Sequence, residues 1–266
     1  MSKTPARLLG IGTHHKTGTI WMRNLFRGAE ERGLFPAMQI YREKRLEDIP
    51  PEGPVVLLNW HSTFPKPLLQ NPEARFLHLI RDPRDILLSG MRYHQTALLR
   101  NEKFLRGKRP ELGKKNYQEY LISLPTDFRK LMFEMEHKHD ETVQEMLAWD
   151  QTNPNAREVK YEALIEDTDM SLFRSLLDDF DIQGLDKEEL LKAYWDFSLF
   201  GNLKDPGELH EGHAGHVTSG SGKASQWREK MPRRVAEEYA RRYGPALKAL
   251  GYADSNDWVE ETKVNP

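Results

Sequence analysis

The sequence predicts an α/β protein, a single domain with a central parallel sheet flanked by helices and carrying one helical insertion. Three observations predict this fold: short uninterrupted apolar runs of strand length, helical periodicity between them, and a glycine-rich turn that joins the first run to the first helix. Continuous apolar runs are typical of strands buried on both faces. Ligands bind at the carboxyl ends of such strands, so the turns that follow these runs are candidate sites.

The predicted elements follow one another along the chain. The first strand covers residues 7–11, and apolar positions recur with a helical period from Gly18 to Leu34. Further strands are predicted over 54–60, 75–80 and 157–161. Residues 95–150 form a helical insertion that Pro125 interrupts; covering an acceptor and plain packing are both open interpretations of it. A polar loop over 209–222 precedes a last helix, which runs from about 233 to 250.

Composition excludes several classes of function. The 266 residues suit one domain over 1–266, and 41 acidic against 39 basic residues give a net charge of -2, so a nucleic-acid partner is not expected. The absence of cysteine excludes disulfides and thiolate metal sites and is typical of a reducing compartment. No apolar run approaches the roughly 18 residues of a membrane span. The first residues lack the apolar stretch of a secretory signal, and we expect a cytoplasmic protein; no heptad or apolar stripe indicates an oligomeric state.

The turn after the first strand, GIGTHHKTGTIW, is close to a Walker A loop, which reads G-x-x-x-x-G-K-[ST]. Gly10, Lys16 and Thr17 fit that template. His15, however, occupies the position of the second glycine, and a glycine follows the lysine at Gly18. The amides that open the following helix favour an anion, which Lys16 would face. The alternative is an ordinary strand-to-helix turn with a surface lysine.

A second motif, RDPRDILLS, follows the strand predicted over 75–80. Arg81 comes at the carboxyl end of that strand, and Pro83 stands where a helix begins. Ser89 lies about two turns into this helix, where its hydroxyl can join the fork-shaped donors of Arg81 on a phosphate. The alternative is a surface network of arginine and aspartate with Ser89 merely small and buried.

Together the two motifs resemble the sulfotransferases that use 3′-phosphoadenosine 5′-phosphosulfate (PAPS). In that family a lysine-bearing loop binds the 5′-phosphosulfate, and an R-(x)7-S element binds the 3′-phosphate. Ile20 stands where the family commonly has a threonine. The resemblance implies a P-loop NTPase-like sheet and assigns eight residues of the two motifs to the nucleotide: Lys16, Thr17, Gly18, Thr19, Ile20, Trp21, Arg81 and Ser89.

The segment NWHSTFP, between the two motifs, resembles the T-H-x-x-P turn that carries the general base in cytosolic members of the family. His61 would be that base, at a strand end beside Lys16 and Arg81. An imidazole with an ordinary pKa of about 6.5 is suited to accept a proton from a hydroxyl at neutral pH. A structural histidine, or a carboxylate base as in other branches of the family, remain alternatives.

Downstream segments extend the resemblance over most of residues 7–252. It implies that Tyr161 approaches the adenine, that Phe200 stacks on it, and that a late phosphate-binding loop contains Gly222 and Lys223. Lys223 would replace the basic pair of the cytosolic enzymes, a form associated with bacterial members. Phe200, Tyr161 and Trp21 are alternatively core aromatics.

The implied reaction is in-line transfer of a sulfuryl group from PAPS to a hydroxyl or amine. The acceptor is a small molecule, a lipid or a carbohydrate, and adenosine 3′,5′-bisphosphate (PAP) leaves. His61 would remove the acceptor proton while Lys16 stabilises the leaving oxygen. No metal is expected, because the histidines near 137–140 and 210–216 lack convincing ligand spacing. A P-loop kinase using ATP and magnesium and a non-catalytic nucleotide-binding scaffold are the alternatives.

Overall fold

The computed structural model describes residues 5–100, 102–198 and 223–263. Contacts divide the chain into two compact units, which are described separately. One unit comprises Met1–Arg81 and Ala148–Glu208, and the other comprises Asp82–Leu147 and Leu209–Pro266. Among the described residues, no helix combines the length and the apolar character needed to cross a bilayer.

The first unit contains a five-stranded parallel sheet in the order β2-β3-β1-β4-β5. The predicted α/β fold class is thereby confirmed. Four strands coincide with the predicted apolar runs, whereas β2 was not predicted because it has three residues and is partly exposed. The strands are β1 (Leu8–Gly12), β2 (Ala37–Gln39), β3 (Val55–Asn59), β4 (Ala74–Ile80) and β5 (Ala156–Lys160).

Helices connect the strands and form most of the second unit. The predicted first and last helices are present. The region 95–150 is helical mainly from residue 117 onward, and Pro125 lies between two of its helices. In chain order the helices are α1 (Thr19–Glu31), α2 (Lys66–Leu69), α3 (Pro83–Thr96), α4 (Tyr117–Ser123), α5 (Asp127–Glu136), α6 (Lys138–Leu147), α7 (Tyr161–Ile165), α8 (Ser171–Phe180), α9 (Lys187–Phe197), α10 (Trp227–Lys230) and α11 (Arg233–Ala249). Short 3-10 turns cover Glu43–Asp48, Lys103–Leu105, Pro110–Leu112 and Asp257–Glu261.

The three central strands of the sheet, β3, β1 and β4, are buried on both faces. Side chains alternate along a strand, so Leu9 and Ile11 of β1 point into one cluster, which also takes apolar residues of α1, α8 and α9. Leu8 joins the opposite cluster with Leu57 and Phe76. Because both faces are buried, these strands have continuous apolar sequences. β1 lies in the middle of the sheet.

The second unit encloses a polar cluster among its helices. Glu134 is 1 % exposed; it accepts hydrogen bonds from His94 Nδ1 at 2.9 Å and from the Tyr117 hydroxyl at 2.8 Å. Burial opposes ionisation of Glu134, but His94 and Tyr117 outweigh it and lower the pKa of this carboxyl. His139 lies 2.9 Å from the Tyr239 hydroxyl, and burial lowers its pKa to about 4.

Candidate functional site

The turn after β1 ends at the amino end of α1. Gly18 adopts a left-handed conformation with φ 105°, and a Cβ there would meet Leu79 and Tyr161 at 3.1 Å, so both backbone and space require glycine. The Met22 amide donates to the Gly18 carbonyl at 3.0 Å. This is the first hydrogen bond of the helix, and the amides in the first turn of α1 precede it. Together with the helix dipole, these amides favour an anion.

The backbone of His14 holds this turn together. Its amide donates to Thr17 Oγ1 at 2.8 Å, and its carbonyl accepts the hydroxyls of Thr17 at 3.0 Å and Thr19 at 2.7 Å. The Thr17 amide also donates to that carbonyl, at 3.2 Å. Because both threonine hydroxyls donate within the turn, they shape the loop around His14. We call residues 13–18 the phosphate loop, after the Walker A-like pattern of their sequence.

Lys16 lies in the phosphate loop with a positive φ of 65°, which is unfavourable for a residue with a side chain. Arg81, at the carboxyl end of β4, donates from Nη1 to the Lys16 carbonyl at 3.1 Å and so holds this conformation. The guanidinium also lies 4.7 Å from the ring centroid of Tyr161. Arg81 is 6 % exposed, and its Nε has no hydrogen-bond partner within the described part of the chain. A buried cation with an unused donor favours an anion nearby.

The turn that carries His61 follows β3. Since Gly12 of β1 is paired with Asn59 of β3, this turn lies at the same sheet edge as the phosphate loop. Asn59 is fully buried and organises the turn: its Oδ1 accepts the amides of His61 at 3.0 Å and Thr63 at 3.2 Å. The Asn59 amide group donates to the Ile40 and Thr63 carbonyls. The His61 side chain is exposed.

A chain of hydrogen bonds leads away from the phosphate loop beneath the sheet edge. His14 Nε2 lies 2.7 Å from His78 Nε2, and His78 Nδ1 lies 2.9 Å from Glu158 Oε2. Both imidazoles are fully buried, and His78 also stacks on Trp149 with ring centroids 4.4 Å apart. Burial lowers the pKa of His78, and the bond to Glu158 opposes that change only in part.

The structure brings several of the predicted residues together within the first unit. Lys16, Gly18, Arg81 and Tyr161 are linked by the contacts above. Trp21 stacks on Tyr194 at 5.7 Å between ring centroids and meets Tyr161 edge-on at 6.1 Å, so it packs among core aromatics. Ile20 and Thr19 lie in the first turn of α1.

The remaining predicted residues belong to the second unit or lie outside the described residues. Ser89 is on α3, which begins at Pro83 as predicted and is capped by the Asp82 carboxylate through the Arg84 amide. Lys223 precedes α10, and its carbonyl accepts from the Gln226 side chain at 3.0 Å. Phe200 and Gly222 lie outside the described residues. Their roles and that of Ser89 stay predictions.

Three residues with clear parts in this geometry were not assigned by sequence reasoning: Asn59, His78 and Glu158. An asparagine at a strand end is a known turn signal, and that signal could have identified Asn59. His78 and Glu158 are directly paired residues of β4 and β5. No sequence signal connects them, because their contact depends on the register of two strands that are far apart in the chain.

A family model and several solved structures match the chain. The family described as "Sulfotransferase domain" matches residues 9–251. No curated protein matches the chain.

Among solved structures, a retinol dehydratase resembles the chain in two complexes. The complex with androsterone and inactive cofactor PAP has a TM-score of 0.51 at 17% identity, covering 95% of this chain and 82% of the other. The complex with retinol and PAP has a TM-score of 0.52 at 16% identity, covering 95% and 83%. A mouse sulfotransferase, SULT7A1, complexed with PAP, has a TM-score of 0.47 at 13% identity, covering 97% and 90%. The two retinol dehydratase complexes show that the fold is shared.

Proposed function

Since the chain belongs to the sulfotransferase family, we propose that it transfers a sulfuryl group from PAPS to a hydroxyl or amine of its acceptor, releasing PAP. The observation that carries this proposal is the phosphate loop with its two cations. Lys16 sits on the loop, the first-turn amides of α1 follow Gly18, and Arg81 donates to the Lys16 carbonyl. These are donors for an anionic group at the carboxyl edge of a parallel sheet.

The nucleotide would contact the residues that the resemblance assigns. Its 5′-phosphosulfate would face Lys16 and the amides of Gly18, Thr19 and Ile20. The unpartnered Nε of buried Arg81 is a donor suited to the other anionic group of the nucleotide, the 3′-phosphate. For the rest of the nucleotide, the resemblance supplies the residues: Arg81 and Ser89 for the 3′-phosphate, Tyr161, Phe200 and Trp21 for the adenine end, and Gly222 and Lys223 for the late loop.

The chemistry would be an in-line displacement at sulfur. The acceptor oxygen or nitrogen forms a bond to sulfur, and the bond from sulfur to the phosphate oxygen breaks. Negative charge grows on that leaving oxygen, where the Lys16 ammonium stabilises it. The acceptor proton passes to His61, whose exposed side chain lies on the turn that Asn59 holds beside the phosphate loop. No step in this scheme uses a metal ion.

A kinase reaction with ATP and magnesium is disfavoured by the bonds of Thr17. In a Walker A loop, the hydroxyl at this position binds Mg²⁺. Here Thr17 is fully buried, and Oγ1 donates to the His14 carbonyl while it accepts the His14 amide. Binding a metal ion would require breaking this arrangement.

The proposal is tested first by calorimetry of nucleotide binding. PAP should bind without magnesium, and more tightly than ATP with magnesium. Magnesium-dependent binding of ATP with no binding of PAP would instead support a kinase. A screen of hydroxyl and amine acceptors with PAPS, including steroid alcohols, retinol, phenols, lipids and sugars, then measures transfer. Nucleotide binding without transfer to any acceptor would favour the scaffold alternative.

Variants of the two reacting groups test their roles. Lys16→Ala and His61→Ala should each lower kcat by about 100-fold or more, the usual range for a charge stabiliser or a general base. Lys66→Ala is the matched control, because Lys66 is an exposed lysine on α2, a few residues after the His61 turn. Transfer at the unmodified rate by either variant would disprove the role given to that residue.

A further inference from the structure

The hydrogen-bond chain from His14 to Glu158 is unused by the reaction above, yet it ends at the phosphate loop. We propose that His78 and Glu158 are positioning residues, which fix the tautomer of His14 and thereby the phosphate loop in which Lys16 sits. This inference rests on the proposed function. It concerns a different part of the protein from the groups that react.

The direction of each hydrogen bond in this chain follows from its charged end. Glu158 Oε2 is a carboxylate oxygen and accepts, so His78 Nδ1 must carry the proton. Burial lowers the pKa of His78, so its ring is neutral at neutral pH and Nε2 has a lone pair. His14 Nε2, 2.7 Å away, must then be protonated and donate to His78. A single carboxylate thus sets the proton positions of two buried rings.

The strands of the sheet explain why the chain reaches the phosphate loop. His78 on β4 is paired with Gly12 on β1 on one side and with Glu158 on β5 on the other. Paired residues of parallel strands point to the same face. The His78 side chain therefore lies between the Glu158 carboxylate and His14, which follows the last residue of β1 by two positions. The stacked ring of Trp149 holds His78 in this orientation.

The position of the His14 ring affects the phosphate loop, because the backbone of the same residue holds that loop together. The amide and carbonyl of His14 bond to Thr17 and Thr19, on both sides of Lys16 and Gly18. His14 is fully buried, and a change of its tautomer alone would place two lone pairs, those of His14 Nε2 and His78 Nε2, opposite each other in the interior. When the carboxylate partner of a catalytic histidine is replaced by an amide, the histidine takes the wrong tautomer and catalysis falls strongly.

Glu158→Gln is the decisive variant, because Gln151 predicts which way the new amide turns. Gln151 Nε2 donates to Glu158 Oε1 at 3.3 Å, so in the variant the carbonyl oxygen should face Gln151 and the NH2 group should face His78. His78 Nδ1 must then accept, its proton moves to Nε2, and His14 is forced to the opposite tautomer. The exchange is nearly isosteric at a side chain that is 24% exposed, so folding should change little.

Swapping the two side chains supplies the rescue. In the double variant Gln151→Glu with Glu158→Gln, the new carboxylate at 151 attracts the NH2 group, and the amide oxygen turns back to His78 Nδ1. The original tautomers should return. Asp179→Asn is the matched control, since it weakens the ion pair of Asp179 with Arg157, the neighbour of Glu158 on β5, without touching the chain to His14.

The experiment records nitrogen spectra of ¹⁵N-histidine-labelled protein, PAP affinity by calorimetry, and kcat and KM for PAPS. We expect protonated His78 Nδ1 in the unmodified protein and inverted tautomers in Glu158→Gln. PAP affinity and kcat/KM for PAPS should fall by about tenfold or more in that variant, the range seen for outer partners of functional histidines. In the double variant and in Asp179→Asn, PAP affinity and kcat/KM for PAPS should stay within about twofold of the values of the unmodified protein.

Three outcomes would overturn the inference: a His78 Nδ1 without a proton in the unmodified protein, inverted tautomers with unchanged PAP affinity and kcat/KM, or an equal loss in Asp179→Asn. Failure of the proposed function looks different. In that case the unmodified protein would neither bind PAP nor transfer sulfate, while the tautomer spectra would still report on the chain from His14 to Glu158.

Discussion

Replacing Gly18 by alanine tests whether the start of α1 forms the anion site. Alanine at φ 105° is strained by about 1–2 kcal/mol. The new Cβ would also lie 3.1 Å from Leu79 and Tyr161, and such overpacking typically adds about 1–3 kcal/mol. The loss of chain freedom in the unfolded state offsets about 0.4–1 kcal/mol. We therefore expect Gly18→Ala to reduce the free energy of unfolding by about 2–3 kcal/mol.

Gly33 at the other end of α1 is the matched control. It has a positive φ of 78°, and a Cβ there would have nothing within 4 Å. Gly33→Ala therefore carries the backbone strain alone and should cost about 1 kcal/mol in urea unfolding. PAP affinity should fall by about tenfold or more in Gly18→Ala, since the shifted first turn misplaces its amides, and should be unchanged in Gly33→Ala. Equal losses of stability and affinity in both variants would refute this reasoning.

Two further predictions concern pH and the His61 turn. The folded-state pKa of His139, about 4, lies below the ordinary value of 6.5, so the unfolded chain binds the proton first and stability falls as pH drops. Between pH 7 and pH 5 this group should remove about 2 kcal/mol of unfolding free energy, and urea titrations of His139→Gln should show a correspondingly shallower decline. Asn59→Ala should reduce kcat by releasing the turn that carries His61, while calorimetry finds PAP affinity retained. Unchanged kcat with lost affinity would contradict this role of Asn59.

The sequence predicted the three strands that are buried on both faces, β1, β3 and β4, because such strands give continuous apolar runs. It also predicted β5, which is mostly half-buried. It missed β2, whose three residues Ala37–Gln39 are partly exposed and too few for such a run. The motif residues Lys16, His61 and Arg81 were predicted at strand ends, and the sheet register brings these ends to one edge. Local sequence patterns identify a turn and the helix that follows it, because the residues that form both are close together in the chain.

Contacts that depend on strand register could not be predicted. His78 and Glu158 are 80 positions apart, and their bond arises only when β4 and β5 align. The hydroxyls of Thr17 and Thr19 illustrate a second limit of pattern reading. The family resemblance assigns both residues to the nucleotide, and in the structure both hydroxyls donate to the His14 carbonyl. A residue type indicates a capacity to donate, while the folded backbone decides which acceptor it meets.

The bond between Arg81 and the Lys16 carbonyl changes what a substitution at Arg81 should do. As a ligand of the 3′-phosphate alone, Arg81 would affect the affinity for PAPS and leave the chemical step intact. Its Nη1, however, also holds the backbone of Lys16 in a conformation that residues with side chains avoid. Without that bond the loop can relax, and the Lys16 ammonium loses its fixed position at the leaving oxygen. Arg81 therefore connects binding of the nucleotide to the placement of the group that stabilises the transition state, and its loss should lower kcat as well as affinity.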